Sequence, residues 1–293
     1  MIAMTLAVSL ALAQAPARPP QTDETVAVQR GARLTVDDFA GEVVVHAWDR
    51  DAVRVQARHR ARTKVNVQTV ASGVSVTADS SMGPASVDYD ISAPAWMPVK
   101  ITGTYEFATV DGIQAEVSVE TVRGDVTVKG SRGALFVRSV EGRVSVENAS
   151  GRLDVSSVNE GVRMSGTSGE IVAESINGPV TLSGMRASSA TVSTVNGDIT
   201  YNGTLVASGR YEFTSHNGDL LLTLPDGTNA TFTVRTYNGE LMTDVPVQGS
   251  RGGLERGRAV TLTLGSGAAD VSLESFDGEI RIRRARAGGT DRN

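Results

Sequence analysis

The segment SINGPVTLSGMRASSATVSTVNGDITY at residues 175–201 contains the same short unit twice. Each copy has a small hydroxyl residue, an apolar residue, Asn and Gly, at 175–178 and again at 194–197. Alternating apolar residues follow each Gly, as in Val180 and Leu182. A period of two residues is typical of a half-buried β-strand. The segment therefore predicts short strands joined by tight turns at a fixed repeat.

The same unit recurs along most of the chain, which makes the repeat the main evidence for the fold. The closing Gly residues from Gly124 to Gly239 are spaced by 18, 19, 17, 19, 21 and 21 residues. Copies of the motif lie at 109–112, 121–124, 139–142, 157–161, 175–178, 194–197, 215–218, 236–239 and 275–278. Two topologies fit this spacing: a hairpin meander of antiparallel strands, and a β-solenoid in which each repeat forms one coil.

Equivalent positions of the repeats form columns, and the columns favour the solenoid. A Ser or Thr begins every copy, and Asn precedes Gly in most later copies. The predicted ladder at the turns consists of Asn159, Asn177, Asn196, Asn217 and Asn238 with Gly178, Gly197, Gly218 and Gly239. Stacked amides can hydrogen-bond across strands about 4.8 Å apart. We therefore predict an all-β, parallel β-helix-like solenoid of about nine coils of 18–21 residues.

The chain divides into five predicted segments. Residues 25–107 carry longer alternating runs and are predicted to be an N-terminal antiparallel β-sheet that caps the solenoid, because an open terminal coil would expose unpaired backbone. Residues 108–282 are the predicted solenoid, with residues 245–258 as an irregular loop and the runs 259–264 and 271–282 closing its far end. The predicted segments at the two ends are a signal peptide at 1–13, a disordered leader at 14–24 and a disordered charged tail at 283–293.

The apolar run at residues 1–13, MIAMTLAVSLALA, ends in small residues and precedes a Pro-rich polar stretch. This pattern is typical of a secretory signal peptide cleaved after Ala13. No later segment is apolar for the length that a membrane-spanning helix needs. The sequence predicts an exported protein, periplasmic or at the cell surface, without a transmembrane anchor in the mature chain.

Composition excludes several classes of function. The 293 residues include no Cys, which excludes disulfides, thiolate nucleophiles and Cys-type zinc sites. The net charge of −5 argues against a nucleic-acid partner. The three His residues lie in no recognisable nucleophilic or metal-binding motif. We expect no catalytic residues, no cofactor and no metal site.

Two clusters of charge are candidates for binding. Asp198, Asp219 and Glu240 each follow a turn Gly and form a predicted acidic edge, either a solvated edge or a site for a cation such as Ca²⁺. The predicted basic stripe consists of Arg54, Arg58, Arg60, Arg62 and Lys64, which share the outward parity of one expected strand. The stripe is either an anionic-ligand surface or a solvated strand face.

Three segments resemble the bacterial putative adhesin family, a domain of unknown function in exported proteins. These segments are GEVVVHAWDRDAVRV at 41–55, VDYDISAPAWMPVKI at 87–101 and GSGAADVSLESFDGEIRI at 265–282, together with the serial Asn-Gly units. The resemblance extends from about residue 25 to residue 282. It implies an adhesin-like β-solenoid at or beyond the inner membrane, and it assigns no catalytic or binding residue.

These observations predict a non-enzymatic, exported, adhesin-like protein that presents a rigid surface for binding or assembly in the cell envelope. The expected partner is an envelope glycan, an envelope protein or a second copy of the chain. Two alternatives remain open. One is a polysaccharide-processing β-helix enzyme that uses the predicted acidic edge, and the other is an envelope-stress or assembly accessory that acts through self-association.

Overall fold

A computed structural model describes residues 21–246, 248–249, 257 and 259–285, and the regular structure of these residues consists of β-strands. The first seven strands are β1 (Thr22–Ala27), β2 (Arg33–Trp48), β3 (Ala52–His59), β4 (Thr63–Val70), β5 (Gly73–Ser80), β6 (Val87–Pro94) and β7 (Val99–Asp111). The next nine are β8 (Val117–Arg123), β9 (Val126–Lys129), β10 (Arg132–Glu141), β11 (Val144–Glu147), β12 (Ser150–Ser157), β13 (Val162–Ser165), β14 (Ser168–Ser175), β15 (Val180–Asn196) and β16 (Ile199–Gly203). The last eight are β17 (Arg210–Asn217), β18 (Leu220–Leu224), β19 (Ala230–Thr236), β20 (Leu241–Thr243), β21 (Gln248–Gly249), β22 (Val260–Leu264), β23 (Ala269–Asp277) and β24 (Ile280–Arg284).

Successive repeats stack as coils, with their strands parallel and in register. Within one repeat, β10 runs to a corner at the Ser-Val-Glu-Gly motif and β11 leaves it. β10 pairs with β12 so that Leu135 faces Leu153, and β11 pairs with β13 so that Val144 faces Val162. A meander would place consecutive strands antiparallel. The parallel pairing confirms the predicted solenoid.

The interior of the solenoid is a narrow apolar core between the two strands of each coil. Alternate residues of each strand point inward, as Val126, Val128 and Leu135 do with 0% exposure. Four aromatic side chains fill the wider later coils, namely Tyr201, Tyr211, Phe213 and Phe232. Because each strand buries one face and exposes the other, nearly every second residue of a coil is available to a partner.

The solenoid begins earlier in the chain than residue 108. β2 pairs in parallel with β5 and β6 on one side and with β7 on the other, so that all four strands belong to the stack. The predicted boundary at residue 107 falls inside β7, and the antiparallel cap consists of β1, β3 and β4. The prediction of an antiparallel sheet over the whole of residues 25–107 is therefore wrong. Its cause is that β2 and β7 turn their corners without the Ser/Thr-x-x-Gly motif.

The far end of the solenoid departs from chain order. β23 lies between β17 and β19, and β24 lies between β18 and β20. β22 then pairs antiparallel with the outer edge of β19, and β21 pairs with β22.

The run 271–282 does not close the end as predicted, because it forms an interior coil. The order of the coils in space is β5–β6, β2, β7, β8–β9, β10–β11, β12–β13, β14 with the start of β15, the rest of β15 with β16, β17–β18, β23–β24 and β19–β20.

The ends of the chain differ in part from the sequence-based expectation. β1 begins at Thr22, inside the segment 14–24 predicted to be disordered, because it pairs along its whole length with β3. Arg283 and Arg284, predicted to belong to a disordered tail, are part of β24. The signal-peptide prediction at 1–13 and most of the predicted loop 245–258 lie outside the described residues.

Candidate functional site

The corner between the two strands of each coil is built on a column of buried hydroxyl groups, called here the hydroxyl column. Ser139 Oγ donates to the carbonyl oxygen of Gly124 at 3.2 Å, and Ser157 Oγ donates to that of Gly142 at 2.9 Å. Each hydroxyl thus bonds the corner of the neighbouring coil. Seven coils repeat this contact, through Thr121, Ser139, Ser157, Thr194, Ser215, Ser275 and Thr236. The hydroxyl column is therefore structural.

The corner glycines are required by the close approach of adjacent coils. A Cβ atom placed on Gly142 would overlap the carbonyl oxygen of Gly124, and one on Gly218 would overlap that of Gly197. The same overlap is found at Gly197, against Gly178. The predicted Gly column thus has a steric cause: parallel coils at strand spacing leave no room for a side chain there.

The predicted asparagine ladder is formed over four coils. Asn177 Nδ2 donates to Asn159 Oδ1 at 3.0 Å, Asn196 Nδ2 to Asn177 Oδ1 at 3.0 Å, and Asn217 Nδ2 to Asn196 Oδ1 at 2.8 Å. Asn238 does not follow Asn217 as predicted, because Asp277 of the interposed coil pairs with Asn217 instead. The ladder is exposed at the surface of the corner.

Replacing Asn177 by Ala removes two amide hydrogen bonds of the ladder at once. We expect a loss of about 1–2 kcal/mol in the free energy of unfolding, since each such bond contributes about 1 kcal/mol. Urea denaturation measures this loss. Asn202→Ala is the matched control, because Asn202 is exposed on β16 and its side chain has no hydrogen bond within the described residues. Equal losses in the two variants would show that the ladder adds no stability.

Outside the hydroxyl column, the corner exposes a line of mostly apolar side chains. Because each hydroxyl residue points inward, the residue after it points outward. Val122, Val140, Ile176, Val195 and Phe276 are each 41–49% exposed. We call this surface the outer corner; it consists of Phe39, Tyr105, Val122, Val140, Val158, Ile176, Val195, His216, Phe276 and Tyr237.

Aromatic rings concentrate at both ends of the outer corner. At one end His216 stacks on Phe276 with ring centroids 4.8 Å apart, and the Tyr237 ring packs against the same Phe276 with centroids 5.1 Å apart. At the opposite end the rings of Phe39 and Tyr105 pack against each other with centroids 5.5 Å apart. The sequence analysis did not identify this surface, although the alternation of inward and outward residues in the Ser/Thr-x-Asn-Gly motif is a signal that could have indicated it.

The predicted basic stripe does not form one strand face. Arg54 and Arg58 lie on β3 and Lys64 lies on β4, whereas Arg60 and Arg62 lie in the connection between these strands. Acidic groups of neighbouring strands oppose several members. Arg54 binds Asp23 at 2.6 Å and holds the pKa of that carboxyl below its usual value through the side-chain hydrogen bond. Arg58 faces Asp88, and Lys64 faces Asp79, in the strand registers.

The predicted acidic edge is interrupted, and two of its three carboxylates, Asp198 and Asp219, have backbone partners. Asp198 Oδ1 accepts the N–H of Asp219 at 2.9 Å, and Asp219 Oδ1 accepts the N–H of Glu279 at 2.8 Å. Glu279 therefore stands between Asp219 and Glu240. Within the described residues no three Asp, Glu or His side chains form a group that could hold a metal ion. The Asp198 and Asp219 carboxylates thus connect neighbouring coils.

Near the first coils, the structure buries two carboxyl groups and a phenol that the sequence did not reveal. Asp38, Glu106 and Tyr89 are 6%, 1% and 2% exposed. Burial raises the pKa of Asp38 to about 7 and that of Glu106 to about 9, and the nearby Asp38 carboxyl raises the pKa of Glu106 further. Burial also raises the pKa of Tyr89. Their side-chain oxygens have no hydrogen-bond partner among the described residues.

The stacked coils, the structural corner columns and the exposed outer corner define a repeat protein of the β-solenoid class. The family model described as Toastrack DUF4097 matches residues 32–283, and the chain belongs to this family. The family match confirms the resemblance inferred from the sequence.

Among solved structures, the chain is similar to one described as a putative cell adhesion protein from Clostridium sporogenes. The two are 9% identical, with a TM-score of 0.24, and the similarity covers 92% of this chain and 100% of the other. No curated protein matches the sequence. In the described part of the chain, no helix has the length and apolar character needed to cross a membrane.

Proposed function

We propose that this protein is a non-enzymatic, exported, adhesin-like solenoid whose outer corner binds a partner in the cell envelope. The observation that supports the proposal is the outer corner itself. A contiguous row of exposed apolar side chains on one edge of a protein is typical of an interaction surface. Side chains at strand spacing on a rigid support also lose little conformational freedom on binding.

The proposed partner is an envelope glycan or an envelope protein, and the proposed location is the periplasm or the cell surface. The predicted signal peptide at residues 1–13 supports the location. The amides beside the apolar side chains support a partner with both polar and apolar groups, since each ladder amide keeps donor or acceptor capacity for a ligand. Two of the three carboxylates of the acidic edge, Asp198 and Asp219, accept backbone N–H groups, which favours a binding role over polysaccharide processing.

Charged substitutions on the outer corner test this proposal. We expect the double variant Ile176→Asp, Val195→Asp to capture at least tenfold less of the envelope component than the wild-type protein does. The reason is that docking would remove water from two carboxylates, which is costly. Crosslinking in intact cells followed by affinity purification and mass spectrometry measures the capture.

Val206→Asp is the matched control, since Val206 is 45% exposed but lies outside the outer corner. It is expected to capture as much as the wild type. Capture of no envelope component by the wild type, or equal capture by all three proteins, would contradict the proposal. Recovery of a second copy of the chain in place of an envelope component would favour the self-association alternative.

A further inference from the structure

The corner of the coil formed by β7 reverses the usual positions of the side chain and the glycine. Gly103 pairs with Thr121 and thus stands in the hydroxyl column. Glu106 takes the place of the corner glycine, because Thr121 Oγ1 donates to its carbonyl oxygen at 3.2 Å as other hydroxyls donate to glycine. A Cβ atom on Gly103 would overlap the Glu106 side chain. The Glu106 carboxyl group therefore fills the interior space that a Ser or Thr fills in other coils.

The next coil outward adds a second carboxyl group at the same column. Asp38 of β2 pairs with Gly103, so that it also stands in the hydroxyl column. The column thus ends in two buried carboxyl groups, beside the unpartnered hydroxyl of Tyr89 on β6. Where seven other coils place a hydroxyl that donates to a carbonyl, these two coils place groups that can donate only when protonated.

The residues adjacent to the two acids have the opposite character. Phe39, Tyr105 and Phe107 flank Asp38 and Glu106 in sequence and are 40%, 45% and 56% exposed. This corner therefore points its aromatic rings to water and its carboxyl groups to the core. Ionised carboxylates would strongly favour the opposite arrangement, with the carboxylates in water and the aromatic rings in the core, since burial of an unpaired charge is costly.

The groups surrounding the two acids are almost all acidic. They are Asp37 and Glu42 of β2, Asp88 and Tyr89 of β6, and Arg123 of β8. Arg123 lies over the outer face of the Tyr105 ring, at 5.3 Å, and binds Glu141. The one cation of this set is therefore on the outside of the corner and engaged with another carboxylate. The backbone N–H groups of Phe39 and Val87 lower the pKa of Asp38, but burial and the neighbouring acids outweigh them, so the surroundings as a whole oppose ionisation of Asp38 and Glu106.

We propose that Asp38 and Glu106 form a pH-operated latch at the first coils of the solenoid. When both carboxyl groups are protonated they remain inside, and the corner segments 37–41 and 103–107 stay packed with their aromatic rings outward. When the carboxyl groups ionise they turn to water, and the two segments open. The latch thereby controls the aromatic end of the outer corner, and it does not depend on the proposed function.

The direction of the pH effect follows from proton binding. Both carboxyl groups have a higher pKa in the closed state than in an open, hydrated state, so the closed state binds more protons between about pH 4 and pH 9. The equilibrium constant for opening then rises with pH, by about tenfold per pH unit for each carboxyl group that titrates. Closure is complete at the acidic end of this range and is lost toward its alkaline end.

Hydrogen exchange followed by mass spectrometry at pH 6, 7, 8 and 9 tests the latch in the full chain. After correction for intrinsic exchange rates, we expect the opening constant of peptides from β2 and β7 to rise at least a hundredfold from pH 6 to pH 9. Glu106→Gln keeps the shape of the side chain and removes its titration, so it is expected to reduce this rise at least tenfold. Asp38→Asn is expected to reduce the part of the rise below pH 7.

Glu120→Gln is the matched control, because Glu120 is exposed on the adjacent β8. It is expected to exchange like the wild type at every pH. Opening constants that do not change with pH in the wild type, or that change equally in the wild type and both latch variants, would overturn the proposal. If Glu106→Gln fails to fold by circular dichroism, the Asp38→Asn profile decides between the two outcomes.

Discussion

Gly142→Ala is expected to lower the free energy of unfolding by at least about 3 kcal/mol, although it adds a single methyl group. The added Cβ would overlap the carbonyl oxygen of Gly124 in the neighbouring coil. Because that oxygen belongs to backbone held in a parallel ladder, the two coils must separate to relieve the overlap. Separation breaks the interstrand bonds on both sides of the corner. Urea denaturation followed by circular dichroism measures the loss.

Gly227→Ala separates this steric effect from backbone strain. Gly227 has a φ of +81° but nothing within 4 Å of an added Cβ, whereas the φ of Gly142 lies outside the left-handed region. The control therefore suffers only conformational strain, of about 1 kcal/mol. If the control lost as much stability as Gly142→Ala, the corner glycines would be required for their conformation and the close approach of the coils would be irrelevant.

Leu273→Asp is expected to destabilise the centre of the far half of the solenoid, with a loss of about 4 kcal/mol or more. Leu273 is 0% exposed on β23, which lies between β17 and β19. A carboxylate there loses the leucine packing and also lacks a partner for its charge. Denaturation measures the loss, and hydrogen exchange is expected to show lower protection in both β17 and β19.

Ser272→Asp places the same side chain on the exposed face of the same strand and is expected to change stability by less than about 0.5 kcal/mol. The pair of variants isolates the buried face from any general effect of charge on β23. Should Leu273→Asp leave the protection of β17 or of β19 unchanged, β23 would be a terminal strand and the interposed coil would be wrong.

Sequence periodicity predicted the solenoid because each coil obeys the same local rule. An inward hydroxyl, an outward residue and a corner glycine recur in most coils from β8 onward, so the columns could be inferred without coordinates. The outer corner follows from the same alternation, since Ile176 and Val195 each come directly after an inward hydroxyl residue.

The order of the last coils could not be inferred, because the competing coils carry equivalent motifs. Ser275 and Thr236 would each continue the hydroxyl column beside Ser215. Pairing at that edge satisfies the same hydrogen bonds with either coil, so no local residue distinguishes them. The antiparallel strand β22, which closes the outer edge of β19, depends on contacts that span the whole end of the structure.

The charged clusters show two further limits of sequence patterns. The basic stripe required one strand through Arg60 and Arg62, and the turn at these residues contains neither Gly nor Pro to mark it. Asp38 pairs with Gly103, the Glu106 side chain lies against the same glycine, and 67 residues of chain lie between the two acids. Their proximity is a property of the stacked coils.

The interposed coil also constrains the order in which the last segments of the chain can fold. A chain synthesised or exported from its N-terminus presents residues 230–243 before residues 269–284. The first of these segments must therefore wait, or must release a neighbour, before the second can enter between it and residues 210–224. A chain cut short before residue 269 lacks an internal layer, so an incomplete product differs from a finished one in the middle of its stack and not only at its end.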